Sequence, residues 1–166
     1  MLREAREQDV PFLWEMLYDS LYVPTGQPPW PRSILEEPEI AHYLAGWGRA
    51  GDTALLALQG GRPVGAAWYR QMPAEDPGFG YVAEDVPEVG IALVEDARGH
   101  GIGTALLEAL TAKARQAGFR ALSLSVQPEN PARRLYERLG WMRVGRSEDA
   151  WTMLRPLSEA PPRNGA

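Results

Sequence analysis

Apolar residues along this chain recur at two distinct periods. In "EVGIALV", Val89, Ile91 and Leu93 point one way and Gly90, Ala92 and Val94 the other. Both faces are apolar, which predicts a central strand covered on both sides. The period then changes. Leu106, Leu110, Ala114 and Ala117 fall at spacings of four and three, the stripe of a helix over about 101–117 that ends at Gly118. "ALSLSV" returns to alternation, with Leu122, Leu124 and Val126 on one face. Strand 89–94, the helix and strand 121–126 form a βαβ unit whose two strands run parallel.

The flanks read in the same way. "LREARE" is a short strand. Asp9 caps a helix that carries Pro11, Phe12, Leu13, Leu17 and Leu21. "VPTGQPPWPRS" breaks regular structure with four prolines. A second helix is expected over roughly 38–47, ending near Gly48. "TALLALQ" and "PVGAAWYRQM" flank "GGR" as a hairpin. "PAEDPGFGYVAED" is an acidic loop. "NPARRLYERLG" is a compact helix with Asn130 as cap, Pro131 at its first position and Gly140 at its end. "WMRVGRS" and "AWTMLRPL" close the fold as a strand pair. The class is α/β, with one domain over 1–157 and a loose tail over 158–166.

Composition narrows the function classes. The 166 residues are 45% apolar and 23% charged, without cysteine, so thiol chemistry is excluded. No apolar run approaches the ~18 residues of a membrane span. "MLREAREQDV" carries charge where a signal peptide needs an apolar core, so a cytoplasmic protein is expected. The net charge of −5 is unevenly spread. Residues 1–97 hold 6 Lys/Arg against 16 Asp/Glu, whereas residues 98–146 hold 9 against 3. One half is suited to a cation and the other to an anion, or the split is only solvated surface. The basic residues follow one motif and the rest is acidic, which argues against nucleic acid as a partner.

That motif is "ARGHGIGTALLEAL", where glycines at 99, 101 and 103 open the helix. A helix N-terminus offers unpaired N–H groups and partial positive charge. Bare backbone there lets a phosphate approach, with Arg98 and His100 as further donors. The other reading is a sharp turn with close packing. The spacing is not G-x-G-x-x-G, because Thr104 takes the third site, and no G-x-x-x-x-G-K is present.

"RGHGIG" after an apolar strand, followed by "NPARRLYERLGW" and preceded by "LREAREQDVPFL", resembles the GNAT superfamily of acyl-CoA-dependent N-acyltransferases. The resemblance spans the order of elements over about 1–157. It implies a central mixed, mostly antiparallel sheet in which the parallel pair 89–94/121–126 splays apart, with flanking helices. It implies acetyl-CoA as co-substrate, lying in that gap. Backbone of Ile91 and Leu93 would pair with the pantetheine arm. The amides from Arg98 through Gly99, His100, Gly101, Ile102 and Gly103 to Thr104 would hold the pyrophosphate. Asn130 would touch the arm, or serve only as a helix cap. "LVEDAR" stands where the family often has Val-x-Pro.

Acyl transfer from a thioester to an amine needs a neutral amine, a donor for the oxyanion and a proton for the departing thiolate. The resemblance gives Tyr136 as the acid; the alternative is a packed ring. A Tyr near ~10 facing a thiol near ~8.5 makes full transfer uphill by roughly 2 kcal/mol in water. A strand amide near Leu93 would bind the oxyanion. Glu88, where related enzymes often carry Glu, is either the base or a surface residue; a carboxylate near ~4.3 needs burial or a water to act on an amine. His100 lines the phosphate loop, and His42 is structural. No histidine set for a hydrolase and no metal-ligand cluster is present, so no metal is expected. Aromatic and acidic residues interleave before the motif, including Glu84 and Asp85, which favours a cationic amine acceptor, small molecule or peptide. No membrane partner is expected, and a homodimer is compatible with the resemblance. The expected activity is N-acetyl transfer by direct attack. The alternative is a non-catalytic acyl-CoA-binding module on the same fold.

Overall fold

The computed structural model describes residues 1–157, so the tail expected at 158–166 lies outside the described residues. In chain order the elements are β1 (Leu2–Glu4), α1 (Val10–Ser20), α2 (Pro38–Ala41), β2 (Thr53–Gln59), β3 (Arg62–Arg70), β4 (Glu88–Leu93), α3 (Ile102–Gln116), β5 (Ala121–Val126), α4 (Ala132–Arg138), β6 (Met142–Ser147) and β7 (Ala150–Pro156). The sheet has seven strands in the order β1-β2-β3-β4-β5-β7-β6. Only β4 and β5 run parallel; the other pairs are antiparallel. This is the mixed, mostly antiparallel α/β architecture with flanking helices.

The two-sided apolarity of β4 does what the pattern implies. Val89, Ile91 and Leu93 pack into a core with α3 and α4, built on Leu106, Leu110, Leu122, Leu124 and Tyr136. Ala92 packs on the opposite face with Trp68 and the α1 residues Leu13, Met16 and Leu17. Gly90 is required beneath Trp68, because a Cβ there would lie 2.5 Å from the indole Cε2. The α3 stripe is Leu106, Leu110 and Ala114, joined by Gly103, Leu107 and Thr111. Ala117 is exposed instead, because the helix has ended and Gly118 turns away at φ +89°.

α2 is shorter than periodicity predicts. The α-helix stops at Ala41 and the chain continues in turns. The cause lies on β3: the Arg70 guanidinium donates to the carbonyls of His42 (3.1 Å) and Ala45 (2.6 Å), which a longer helix would use itself. Arg70 and Asp52 are both buried and bonded twice, at 3.0 and 2.7 Å. A buried pair so fully hydrogen-bonded fixes the 42–52 segment against the sheet. Asp9 also departs from a simple cap. Its carboxylate takes the Arg6 N–H at 2.7 Å and a fork from Arg3 at 2.6 and 3.1 Å.

Candidate active site

β4 and β5 meet at one bridge only, Glu88 opposite Ser123, where the Ser123 N–H donates to the Pro87 carbonyl at 2.9 Å. β5 then stays with β7 over its whole length, from Ala121 opposite Pro156 to Val126 opposite Trp151. The sheet therefore opens between β4 and β5. Backbone polarity alternates along a strand. Val94 N–H bonds Val64 on the β3 side, and the Pro87 carbonyl bonds the β5 side. Residues 89, 91 and 93 thus turn their backbone groups to the gap. Leu93's carbonyl accepts from Arg98 Nε at 3.2 Å, which leaves the Ile91 groups and the Leu93 N–H.

At the far end of β4, Arg98's own N–H closes the 95–97 turn onto Glu95 at 3.2 Å. That N–H is thus already engaged within the turn. Gly99 and Gly101 have φ +80° and +82°, with nothing within 4 Å of a Cβ at either. Glycine is needed there for the left-handed backbone. Gly101 is the cap position of α3 and no side chain caps the helix; the first helical bond is Ala105 N–H to the Gly101 carbonyl. The amides of Ile102, Gly103 and Thr104 form its uncapped first turn. A Cβ at Gly103 would stand at ordinary contact distance from Leu135 and Leu93, 3.5 and 3.8 Å. His100 is exposed on the loop.

Glu88, Ile91, Asn130 and Tyr136 line one cavity of about 920 Å³. The loop 98–104 is not among its lining; it stands at the other end of the gap. Tyr136 is buried on α4 with its ring 6.0 Å from Trp141, and its hydroxyl has no hydrogen bond among the described residues. Burial pushes this phenol up to about 12. Asn130 Oδ1 accepts the Ala132 N–H at 3.0 Å, so its carbonyl caps α4 while the residue still lines the cavity.

Glu88 is not a surface residue: it is 3% exposed. Its Oε2 accepts from the Tyr43 hydroxyl at 2.5 Å and the Gly80 N–H at 3.1 Å. Its Oε1 is buried with no partner among the described residues. Burial raises the carboxyl to about 7, against the opposing pull of those two donors. Tyr43, Gly78 and Gly80 escaped sequence reasoning. The signal available was "GFG", two glycines inside a loop, which often marks close backbone approach.

The cavity is also lined by Tyr22, Trp30, Tyr43 and Phe79, by the carboxylates of Glu37, Glu39, Glu129, Glu148 and Asp149, and by Arg146. Glu84 and Asp85 do not line it. Asp85 pairs with Arg120 at 2.7 Å, and Glu84 accepts the Ala74 N–H at 3.2 Å. His42 bonds Asp76 at 2.8 Å, outside the cavity lining. Among the described residues, no three or more His, Cys, Asp or Glu side chains could hold a metal ion, and no helix is long and apolar enough to cross a membrane.

The Acetyltransferase (GNAT) family model matches residues 14–141. A mycothiol acetyltransferase of Geodermatophilus obscurus is 38% identical over 90 residues, covering 53% of this chain and 28% of that protein. The chain thus matches little more than a quarter of that relative's length. A phosphinothricin acetyltransferase from Sinorhizobium meliloti, solved in complex with AcCoA, superposes with TM-score 0.70 at 25% identity, over 100% of this chain and 94% of that one. The ribosomal-protein-S18-alanine N-acetyltransferase of Escherichia coli has TM-score 0.66 at 22% identity, over 98% and 97% of the two chains. From the match over residues 14–141 and the half-open β4–β5 pair, the chain belongs to the GNAT family of acetyltransferases.

Proposed function

We propose that this chain transfers acetyl from acetyl-CoA to a primary amine by direct attack, and that the acceptor carries a further positive charge. One observation carries the reading: a buried carboxylate, Glu88, and a buried phenol, Tyr136, line one cavity at the opening between β4 and β5. When bound, acetyl-CoA supplies an activated acyl group on a thiolate leaving group. The residues present suit it. The uncapped amides of Ile102, Gly103 and Thr104, the left-handed Gly99 and Gly101, and the exposed Arg98 and His100 side chains would hold its pyrophosphate. The gap-facing backbone of Ile91 and Leu93 would hold the arm, and the Leu93 N–H the oxyanion.

Glu88 is the base. Near 7 it is ionised over much of the neutral range and is a far stronger base than a free carboxylate. Tyr136 is the donor. With the phenol at about 12 and a thiol near ~8.5, complete transfer would be uphill by about 5 kcal/mol. The neutral hydroxyl therefore donates a hydrogen bond and passes its proton only as the amine's proton leaves. Asn130 caps α4 through its side-chain carbonyl and would offer its amide nitrogen to the arm. Five carboxylates besides Glu88 line the cavity against one arginine, Arg146, and with the aromatic rings they support a cationic partner. The test is CoA-thiol release across a panel of mono- and polyamines. Acetyl-CoA binding without turnover on any amine would favour a silent binding module.

A further inference from the structure

Only one oxygen of the Glu88 carboxylate is held by hydrogen bonds among the described residues. The Tyr43 hydroxyl donates to Oε2 at 2.5 Å and accepts the Phe79 N–H at 2.8 Å. The Gly80 N–H donates to the same oxygen at 3.1 Å. The 78–80 turn makes this possible by lying bare against its neighbours. A Cβ at Gly78 would fall far inside contact with Glu88 Oε1 and 2.7 Å from the Tyr43 oxygen. One at Gly80 would lie 2.5 Å from the Leu124 carbonyl carbon, on the β5 backbone just past the last β4–β5 bridge. Oε1 is left buried and unpaired among the described residues. Beside it on the same sheet face is a second orphan, the Trp68 indole N–H, which overlies Gly90 and also lines the cavity.

We infer that Tyr43 is a positioning residue: with the Phe79–Gly80 turn it clamps Oε2 of Glu88 and so holds the carboxylate in one place on the cavity wall. This rests on Glu88 being the base. Tyr43 touches no reacting atom; it acts through the carboxylate. It is fixed from behind by the ring of His42, edge-on at 4.6 Å, whose Nδ1 bonds Asp76 of the same loop. The other charged groups around Glu88 are closed on themselves. Arg70, opposite it on β3, is bound to Asp52, and His42 to Asp76. β5 contributes only the neutral Ser123 at this position.

The Tyr43 hydroxyl bonds the ionised form of Glu88 and so favours it. Tyr43→Phe removes that bond, and the carboxyl should then titrate about one unit higher. The experiment uses full-length protein carrying 13C-carboxyl glutamate, with the Glu88 signal assigned by its loss in Glu88→Gln. Its titration is followed in wild type and Tyr43→Phe, beside the pH profile of kcat/KM. The expected result is a carboxyl midpoint and an acid limb that rise together, with the acetyl-CoA KM unchanged. A Glu88 titration that Tyr43→Phe does not move overturns the inference. A carboxyl that moves while the acid limb stays upholds the clamp and removes Glu88 as the base. If Tyr43→Phe does not fold, 3-fluorotyrosine in the wild-type chain makes the hydroxyl a stronger donor. The Glu88 midpoint must then fall, and a fixed midpoint overturns the clamp.

Discussion

Glu88 combines three properties seldom found together in a carboxylate. It is buried, it is held on one oxygen only, and it titrates near 7. A base must be ionised, so kcat/KM should rise with pH and level off above about 7. Glu88→Gln should lower kcat on the order of 10²-fold and abolish that acid limb. The same group sets a stability trend of opposite sign. Folded, Glu88 keeps its proton to about 7; unfolded, it loses it near 4.5. Between those values the unfolded chain binds fewer protons, so stability falls as pH rises, by roughly 3 kcal/mol at most. Thermal melts of Glu88→Gln should lack this decline, and an unchanged decline would mean another group causes it. Tyr136→Phe keeps the ring and its packing on Trp141. It should lower kcat on the order of 10²-fold with acetyl-CoA affinity unmoved; wild-type kcat would return Tyr136 to packing alone.

The elements divide by how local their causes are. β4, α3 and β5 were legible because their patterns are continuous and punctuated by Gly99, Gly101 and Gly118. The early end of α2 was not, since it is set by Arg70, 28 positions from His42. Glu88 was read as either base or surface because its partner Tyr43 lies 45 residues away. The anion cradle proposed at the start of α3 is the element that most needs a clean test. Asn and Asp both tolerate the left-handed backbone of Gly101 and differ only in charge. Gly101→Asp should bind acetyl-CoA about tenfold more weakly than Gly101→Asn, with the gap closing as salt rises. Equal affinities by calorimetry would place the pyrophosphate elsewhere.

At the scale of the whole molecule, the sheet splits an acidic half from a basic one, and the cavity lies between them. Carboxylates meet the cavity at Glu37 and Glu39 from the acidic half and at Glu129, Glu148 and Asp149 from beyond it, not at the loop residues Glu84 and Asp85. Glu148→Gln with Asp149→Asn should raise the acceptor KM several-fold, and added salt should do the same, since such attraction is screened within about 8–10 Å. Glu84→Gln should leave KM alone. The proposed reaction is acetyl transfer to a cationic amine at the β4–β5 opening. Its most direct test is CoA-thiol release from acetyl-CoA, measured for matched amines with and without a second positive charge, in wild type and Glu88→Gln. Amine-dependent release should be fastest for the doubly charged member and slower on the order of 10²-fold in Glu88→Gln. Release that is absent with every amine, or equally fast in Glu88→Gln, would contradict it.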